Sequence, residues 1–339
     1  MQRRSFSAAL ALGAAAPALI LSGCAMPTPM TTAPPVTLRV NVFPGSSNLP
    51  LLAAIEQKFF AKRGLVIEVQ NTPNSEEQRA GLPAGKFEIA HAAVDNAVAM
   101  IEVAKHDVII VMGGDSGLND FMVRPEIRSF DDIRGKSLAV DAPDTAYALV
   151  AKKILKNKGL IEGRDYTVKA VGGTPLRANA MATQADLAAG MVNPPFSFLV
   201  GEKGLKSLGH ATDLAGPYQA QGAFVMRSWA SQNADLLQRY MAAYIEGARY
   251  AMNPANRAGM IALLQTRFKL APSIATQSYE ALMTPNFGLD ADARFNMEGF
   301  RNVLSLRAEL QGQWGGKAPE PEKFLDLSYY DKALAMVGR

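Results

Sequence analysis

Residues 135–155 read GKSLAVDAPDTAYALVAKKIL, and the fold turns on how this stretch is divided. Leu138, Ala139 and Val140 make a short apolar run suited to a buried strand. Asp141, Ala142, Pro143, Asp144 and Thr145 are turn-forming and helix-capping residues. Tyr147, Leu149, Val150, Ile154 and Leu155 then recur at helical spacing. The stretch is therefore a strand, a tight turn and a helix. Such a turn lies at the carboxyl end of a strand with helix N–H groups exposed, which is where open α/β sheets bind small ligands.

The same strand–turn–helix order recurs on both sides. Upstream, VTLRVNV at 36–42 alternates like a strand, 43–48 is a turn, and 50–60 is an amphipathic helix stopped by Gly64. Strands at 65–70, 87–90 and 108–112 follow, with helices at 76–82 and from Asp95 or Asn96 to about Lys105. Downstream come strand 166–171, the turn Gly172-Gly173-Thr174-Pro175, helix 176–183, strand 190–192, the turn Asn193-Pro194-Pro195-Phe196 and strand 205–208. Repeated βα units imply a mainly parallel sheet in each series. Two strand-like segments ending in Arg, FMVR at 121–124 and GAFVMR at 222–227, separate the series. We read them as hinge strands, with crossings near 122–124 and 224–226. The remainder is helical: 234–252, 255–267, 272–282, 291–311 and a closing segment at 323–337. The expected fold is α/β and two-lobed. Residues 36–122 and 224–339 form the first lobe and 123–223 the second.

The 339 residues suffice for two such lobes. With 48% hydrophobic and 19% charged residues the chain has a globular composition. The net charge of +4 includes Arg3 and Arg4; without them 33 basic residues face 31 acidic, a net of +2. No Lys/Arg block with interleaved aromatics occurs, so nucleic acid is not an expected partner. One cysteine, Cys24, excludes an intrachain disulfide and a multi-thiolate metal site. His91, His106 and His210 are scattered and read as structural or surface residues. No nucleophile elbow, P-loop or paired metal-ligand motif is present, so we expect no catalytic residues, no metal and no cofactor.

Residues 1–23 combine a basic start with an Ala/Leu-rich run, the pattern of an export signal. Leu21-Ser22-Gly23-Cys24 resembles the lipobox of bacterial lipoproteins, in which the cysteine is acylated. Arg3-Arg4-Ser5-Phe6 resembles a twin-arginine core, departing from it at Gln2. Lipid on Cys24 would anchor the protein to a membrane surface without spanning it. Residues 24–35 are Pro/Thr-rich and read as a tether. The expected location is periplasmic or on the cell surface.

Taken together, the segments at 40–48, 51–64 (LLAAIEQKFFAKRG), 84–96 (AGKFEIAHAAVDN), 130–140 (FDDIRGKSLAV) and 191–196 (MVNPPF) resemble the NMT1/THI5-like solute-binding proteins of ABC importers. That group includes nitrate, sulfonate, taurine and thiamine-pyrimidine binders. The resemblance implies a type II periplasmic binding-protein fold and a monomer without catalytic activity. It also implies a small-molecule ligand passed to an ABC permease in the inner membrane. By position it places ligand contacts at Gly45, Ser46, Ser47, Asn48, Asp95, Asn96, Gly114, Asp144, Thr145, Tyr147, Gly173, Thr174, Asn193, Pro195 and Phe196. Gly permits close backbone approach, and Ser, Thr and Asn supply donors and acceptors.

Ser46, Ser47, Asn48, Asp95, Asp144 and Thr145 serve equally well as plain helix caps, and Phe196 as a core residue. Asn193, between an apolar strand and Pro-Pro, is the strongest candidate contact. Asp95, Asp115, Asp141 and Asp144 all fall in expected cleft turns, with Arg177 the nearest basic residue. Four carboxylates disfavour nitrate and favour an organic ligand with donor groups, on whose ring Tyr147 and Phe196 would stack. Two alternatives stay open. One is a sensory module binding the same ligand. The other is an enzyme of pyrimidine metabolism on the same fold, although the cysteine-rich motif of those enzymes is missing here.

Overall fold

The computed structural model describes residues 34–338. The expected signal, the lipid-attachment residue Cys24 and most of the tether lie outside the described residues. Ten strands occur among them: β1 (Val36–Val42), β2 (Leu65–Asn71), β3 (Ile89–Ala93), β4 (Val108–Met112), β5 (Asp120–Val123), β6 (Lys136–Val140), β7 (Tyr166–Ala170), β8 (Leu187–Val192), β9 (Lys206–His210) and β10 (Gln221–Met226). They form two five-stranded sheets with orders β2-β1-β3-β10-β4 and β7-β6-β8-β5-β9.

The two sheets share one plan. In the first, β1 runs parallel to β2 and β3, with Val40 opposite Val69 and Ile89. In the second, β6 runs parallel to β7 and β8, with Leu138 opposite Val168 and Ala189. Each sheet then takes in, as an antiparallel strand, the first strand formed after a crossing. β10 lies between β3 and β4, and β5 lies between β8 and β9. Both sheets are covered by helices, which is why β4, β5 and β8 are buried along their whole length. The opening stretch folds as read: β6 is flanked on both sides, and the helix Ala146–Asn157 packs Leu149, Val150, Ile154 and Leu155 inward.

The FMVR and GAFVMR segments have equivalent places, since β5 and β10 are the antiparallel strands of the two sheets. Each is hydrogen-bonded on both sides, so neither is itself the crossing. The chain passes between sheets just before each strand, in residues 113–119 and 211–220. The second sheet accordingly spans residues 120–210, against the 123–223 expected from sequence for the second lobe.

Two helices also differ from expectation. The segment 50–60 is two helices, Leu49–Glu56 and Phe59–Lys62, because Lys58 adopts a left-handed conformation with φ of 60°. The helix expected from 291 begins at Met297. Before it, the Asp290 carboxylate accepts the N–H groups of Asp292 and Arg294 at 2.8 and 3.0 Å, holding an irregular turn. Asn296 then caps the helix by accepting the N–H of Gly299 at 2.9 Å. The long helix Ala234–Met252 buries Tyr240, Met241, Tyr244 and Ile245 on the first sheet. It meets the helix Leu49–Glu56 at Gly247, where a Cβ would fall 2.2 Å from the Pro50 carbonyl oxygen.

Candidate functional site

The carboxyl ends of the parallel strands in the two sheets face one another across a cleft. Their following turns touch directly. The Ser46 N–H donates to the Pro194 carbonyl at 3.0 Å, and the Gly173 N–H to the Pro73 carbonyl at 2.8 Å. Asp141, at the end of β6, accepts the N–H of Ser75 at 3.0 Å and its hydroxyl. This anion sits at the start of the helix Ser75–Gly81, where the helix dipole favours it. The glycines at these contacts serve closure. A Cβ on Gly45 would lie 2.7 Å from Asn193 Nδ2, and one on Gly173 would lie 2.7 Å from the Pro73 oxygen. The described conformation is a closed one.

The strongest tie between the lobes runs through Asp95 and Arg307, which are 1% and 0% exposed. Arg307 Nε and Nη2 donate to the two carboxylate oxygens at 2.5 and 2.8 Å. The same carboxylate accepts the N–H of Ala146, in the other lobe. Arg307 Nη2 and Gln311 Nε2 also donate to the Asp144 carbonyl at 3.1 and 3.2 Å. The pair thus grips the first turn of the helix Ala146–Asn157. Ala146 is held there with φ of 42°, a left-handed conformation that a residue bearing a Cβ adopts at a cost.

Behind these contacts lies a cavity of about 100 Å³, room for a small molecule rather than a polymer. Of the residues placed there by sequence, Ser47, Asn48, Asn96, Thr145, Tyr147, Gly173, Thr174 and Asn193 line it. Gly45, Ser46, Asp95, Gly114, Asp144, Pro195 and Phe196 are outside its lining. Gly45 and Ser46 make the lobe contact, and Asp95 is spent on Arg307. Gly114 packs under the Gln221 carbonyl. Asp144 turns its carboxylate outward, 3.6 Å from Arg79. Pro195 and Phe196 start the helix Phe196–Gly201. Asn193 reaches the cavity while its Nδ2 donates to the Pro194 carbonyl at 3.1 Å. Tyr147 also packs against Tyr218, with ring centroids 5.5 Å apart.

The four expected cleft carboxylates have different tasks. Asp95 is ion-paired, Asp144 faces outward, and Asp141 lines the cavity while bonded to Ser75. Asp115 remains. It is 6% exposed, lines the cavity and accepts the N–H of Gly117 at 3.0 Å. Burial pushes its pKa up to about 6, against the opposing pull of backbone N–H groups. Arg177 also lines the cavity, brought there because the helix Thr174–Thr183 turns its first-turn side chains under β8. Sequence reading missed Ser75, His91, Asn119 and Gln221 as lining residues. His91 had a visible signal, an imidazole within the apolar strand IAHAA. Burial pushes its pKa down to about 3, and its Nε2 is 2.8 Å from the Tyr240 hydroxyl.

The profile of the NMT1/THI5 like family matches residues 46–258, a span that carries nine of the ten strands and all of the cavity lining except Phe43 and Pro44. The chain belongs to this family. A Brachyspira hyodysenteriae protein, provisionally described as an ABC transporter periplasmic binding protein, is 24% identical over 67% of this chain and 68% of its own. Among solved structures, the periplasmic nitrate-binding protein of Synechocystis PCC 6803 superposes with a TM-score of 0.75, at 14% identity over 89% of each chain. The alkanesulfonate-binding protein of Xanthomonas axonopodis pv. citri gives 0.66, at 16% identity over 89% of this chain and 99% of its own. At these identities the superpositions establish the periplasmic binding-protein fold. The NMT1/THI5-like match and the relatives' roles support solute binding outside the cytoplasm. Among the described residues no group of three His, Cys, Asp or Glu could hold a metal ion, and no helix is long and apolar enough to cross a membrane.

Proposed function

We propose that this protein is an extracytoplasmic solute-binding lipoprotein. It captures a small organic ligand between its two lobes and presents it to the permease of an ABC importer. The observation that carries this reading is the cavity of about 100 Å³ formed where the turns of the two sheets meet. A solute held there touches both lobes, so its binding energy favours the closed form. The relatives' descriptions as importer binding components agree with such a role. Cys24 would tether the domain to the membrane, and the Pro/Thr-rich segment after it would let the domain reach its permease.

Two measurements test the reading. Small-angle scattering of the full exported chain should show compaction when a solute that raises its Tm is added. A chain that binds such a solute with no change in dimensions would contradict capture by closure. Radiolabelled palmitate should enter the wild-type chain and not Cys24→Ser; equal labelling of both would remove the lipoprotein assignment.

A further inference from the structure

Two buried charges line the cavity, and neither has an opposite charge bonded to it among the described residues. Arg177 is 4% exposed. Its Nε and Nη2 donate to the Met191 carbonyl at 2.9 and 2.8 Å. Nη1 donates to the Gly172 carbonyl at 2.8 Å, and Nη2 to Thr174 Oγ1 at 3.2 Å. Those four bonds use four of the five guanidinium N–H groups and leave one on Nη1. Among the described residues no carboxylate is within ion-pairing distance of the group; the Asp141 carboxylate, already bonded to Ser75, acts on it only from farther off. Asp115 is bonded only through backbone N–H groups and likewise has no cation beside it. Tyr147 stands where it feels both charges.

The first-lobe side of the cavity also carries spare hydrogen-bonding atoms. Asn96 Oδ1 and Asn119 Oδ1 belong to residues 1% and 3% exposed, and neither atom has a partner, although the Asn119 side chain also meets the Tyr147 hydroxyl. His91 Nδ1 is buried and unpartnered as well. Buried polar atoms are seldom left so, because each costs the desolvation that a partner would have offset. Asp115 and these unpartnered polar atoms thus belong to residues lining one cavity, and a guanidinium lines it from the second-lobe side.

From this arrangement we infer that the solute is a small zwitterion. Its cationic amino group lies against Asp115, Asn96 and Asn119, and its oxyanion is directed to Arg177. A simple anion would leave Asp115 sealed in and facing it, and a simple amine would leave Arg177 unmatched; only a bipolar solute matches both. This inference rests on the solute-binding reading above.

The test is a calorimetric and thermal-shift panel on the full exported chain at pH 7.5. The probes are β-alanine and taurine as zwitterions, propanoate, ethanesulfonate and nitrate as anions, and propylamine as a cation. At least one zwitterion should bind at least tenfold more tightly than its matched anion and than propylamine. Asp115→Asn, which keeps the side-chain shape, should remove most of that preference. Anions binding as tightly as zwitterions with compaction in scattering would overturn the zwitterion and leave solute capture standing. So would a preference unaffected by Asp115→Asn. Silence across the whole panel, with no small molecule released from the purified chain on denaturation, would overturn both.

Discussion

At the scale of single residues, the cavity places two titratable groups in opposition. Asp115 has a folded pKa of about 6 against an ordinary value of 3.8. The folded state therefore holds an extra proton between these values, and stability from this group falls as pH rises through that window. Above it, Asp115 lowers the stability of the ligand-free protein. Asp115→Asn should raise that stability at pH 7 by roughly 1–3 kcal/mol, measured by urea unfolding. His91 works the other way. Its folded pKa of about 3 lies below the ordinary 6.5, so its contribution is complete above 6.5 and is lost as pH falls toward 3, at about 1.4 kcal/mol per unit. The groups facing Asp115 are Tyr147 and Tyr244, and those facing His91 are Tyr240 and Tyr244. Tyr147, Tyr240 and Tyr244 have pKa values raised by burial and stay neutral across this range. Between pH 4 and 6 the two slopes oppose in the wild type. The Asp115→Asn variant should lose stability on acidification more steeply, and parallel pH profiles for the two proteins would contradict this.

At the scale of elements, the contact that decides closure joins the helix Met297–Gln311 to the first turn of the helix Ala146–Asn157. Arg307→Met leaves the Asp95 carboxylate buried without its cation. It should destabilise the chain by about 3–5 kcal/mol in urea unfolding. Exposed pairs such as Arg257–Glu280 should each contribute less than about 1 kcal/mol when removed. The turns carry a second, separable requirement. Gly173→Ala puts a Cβ against the Pro73 carbonyl, which moves away only if the lobes part. We expect solute affinity to fall at least tenfold while the unfolding midpoint of the ligand-free chain shifts little. Unchanged affinity would show that the cavity forms without the Gly173–Pro73 contact.

At the scale of the whole molecule, two sheets of identical plan are exchanged by two crossings, and each sheet completes itself with a strand that arrives from the other side. Lobe closure brings Ser46 to Pro194, Ser75 to Asp141 and Asp95 to Ala146 at once, three contacts spread along the cleft. Interlobe bonds of this kind hold the closed form together, and a bridging solute adds to them in the same direction. On the proposed reading, the charges at the cavity would supply selectivity, because the groups that welcome one solute are the groups left unpaired by another.

Much of this was legible from sequence because it is local. Apolar runs and capping residues marked β6 and its helix, and the repetition of strand, turn and helix marked a two-sheet α/β chain. The likeness of FMVR to GAFVMR marked two equivalent strands. The same local signals misplaced the crossings, since strand pairing on both sides of β5 and β10 is set by distant segments. They also assigned four acids to one cleft. Sequence position put Asp95, Asp115, Asp141 and Asp144 in turns of the right kind, but each has a partner far along the chain: Arg307 for Asp95, Ser75 for Asp141, Arg79 for Asp144 and the backbone at 221 for Asp115. A carboxylate's role depends on which groups share its buried space, and packing brings those groups together. The sequence by itself determined the elements, the family and the turns that form the cleft. The tertiary structure alone decided which side chains spend themselves on closing it, and which two buried charges line the cavity with no opposite charge bonded to them among the described residues.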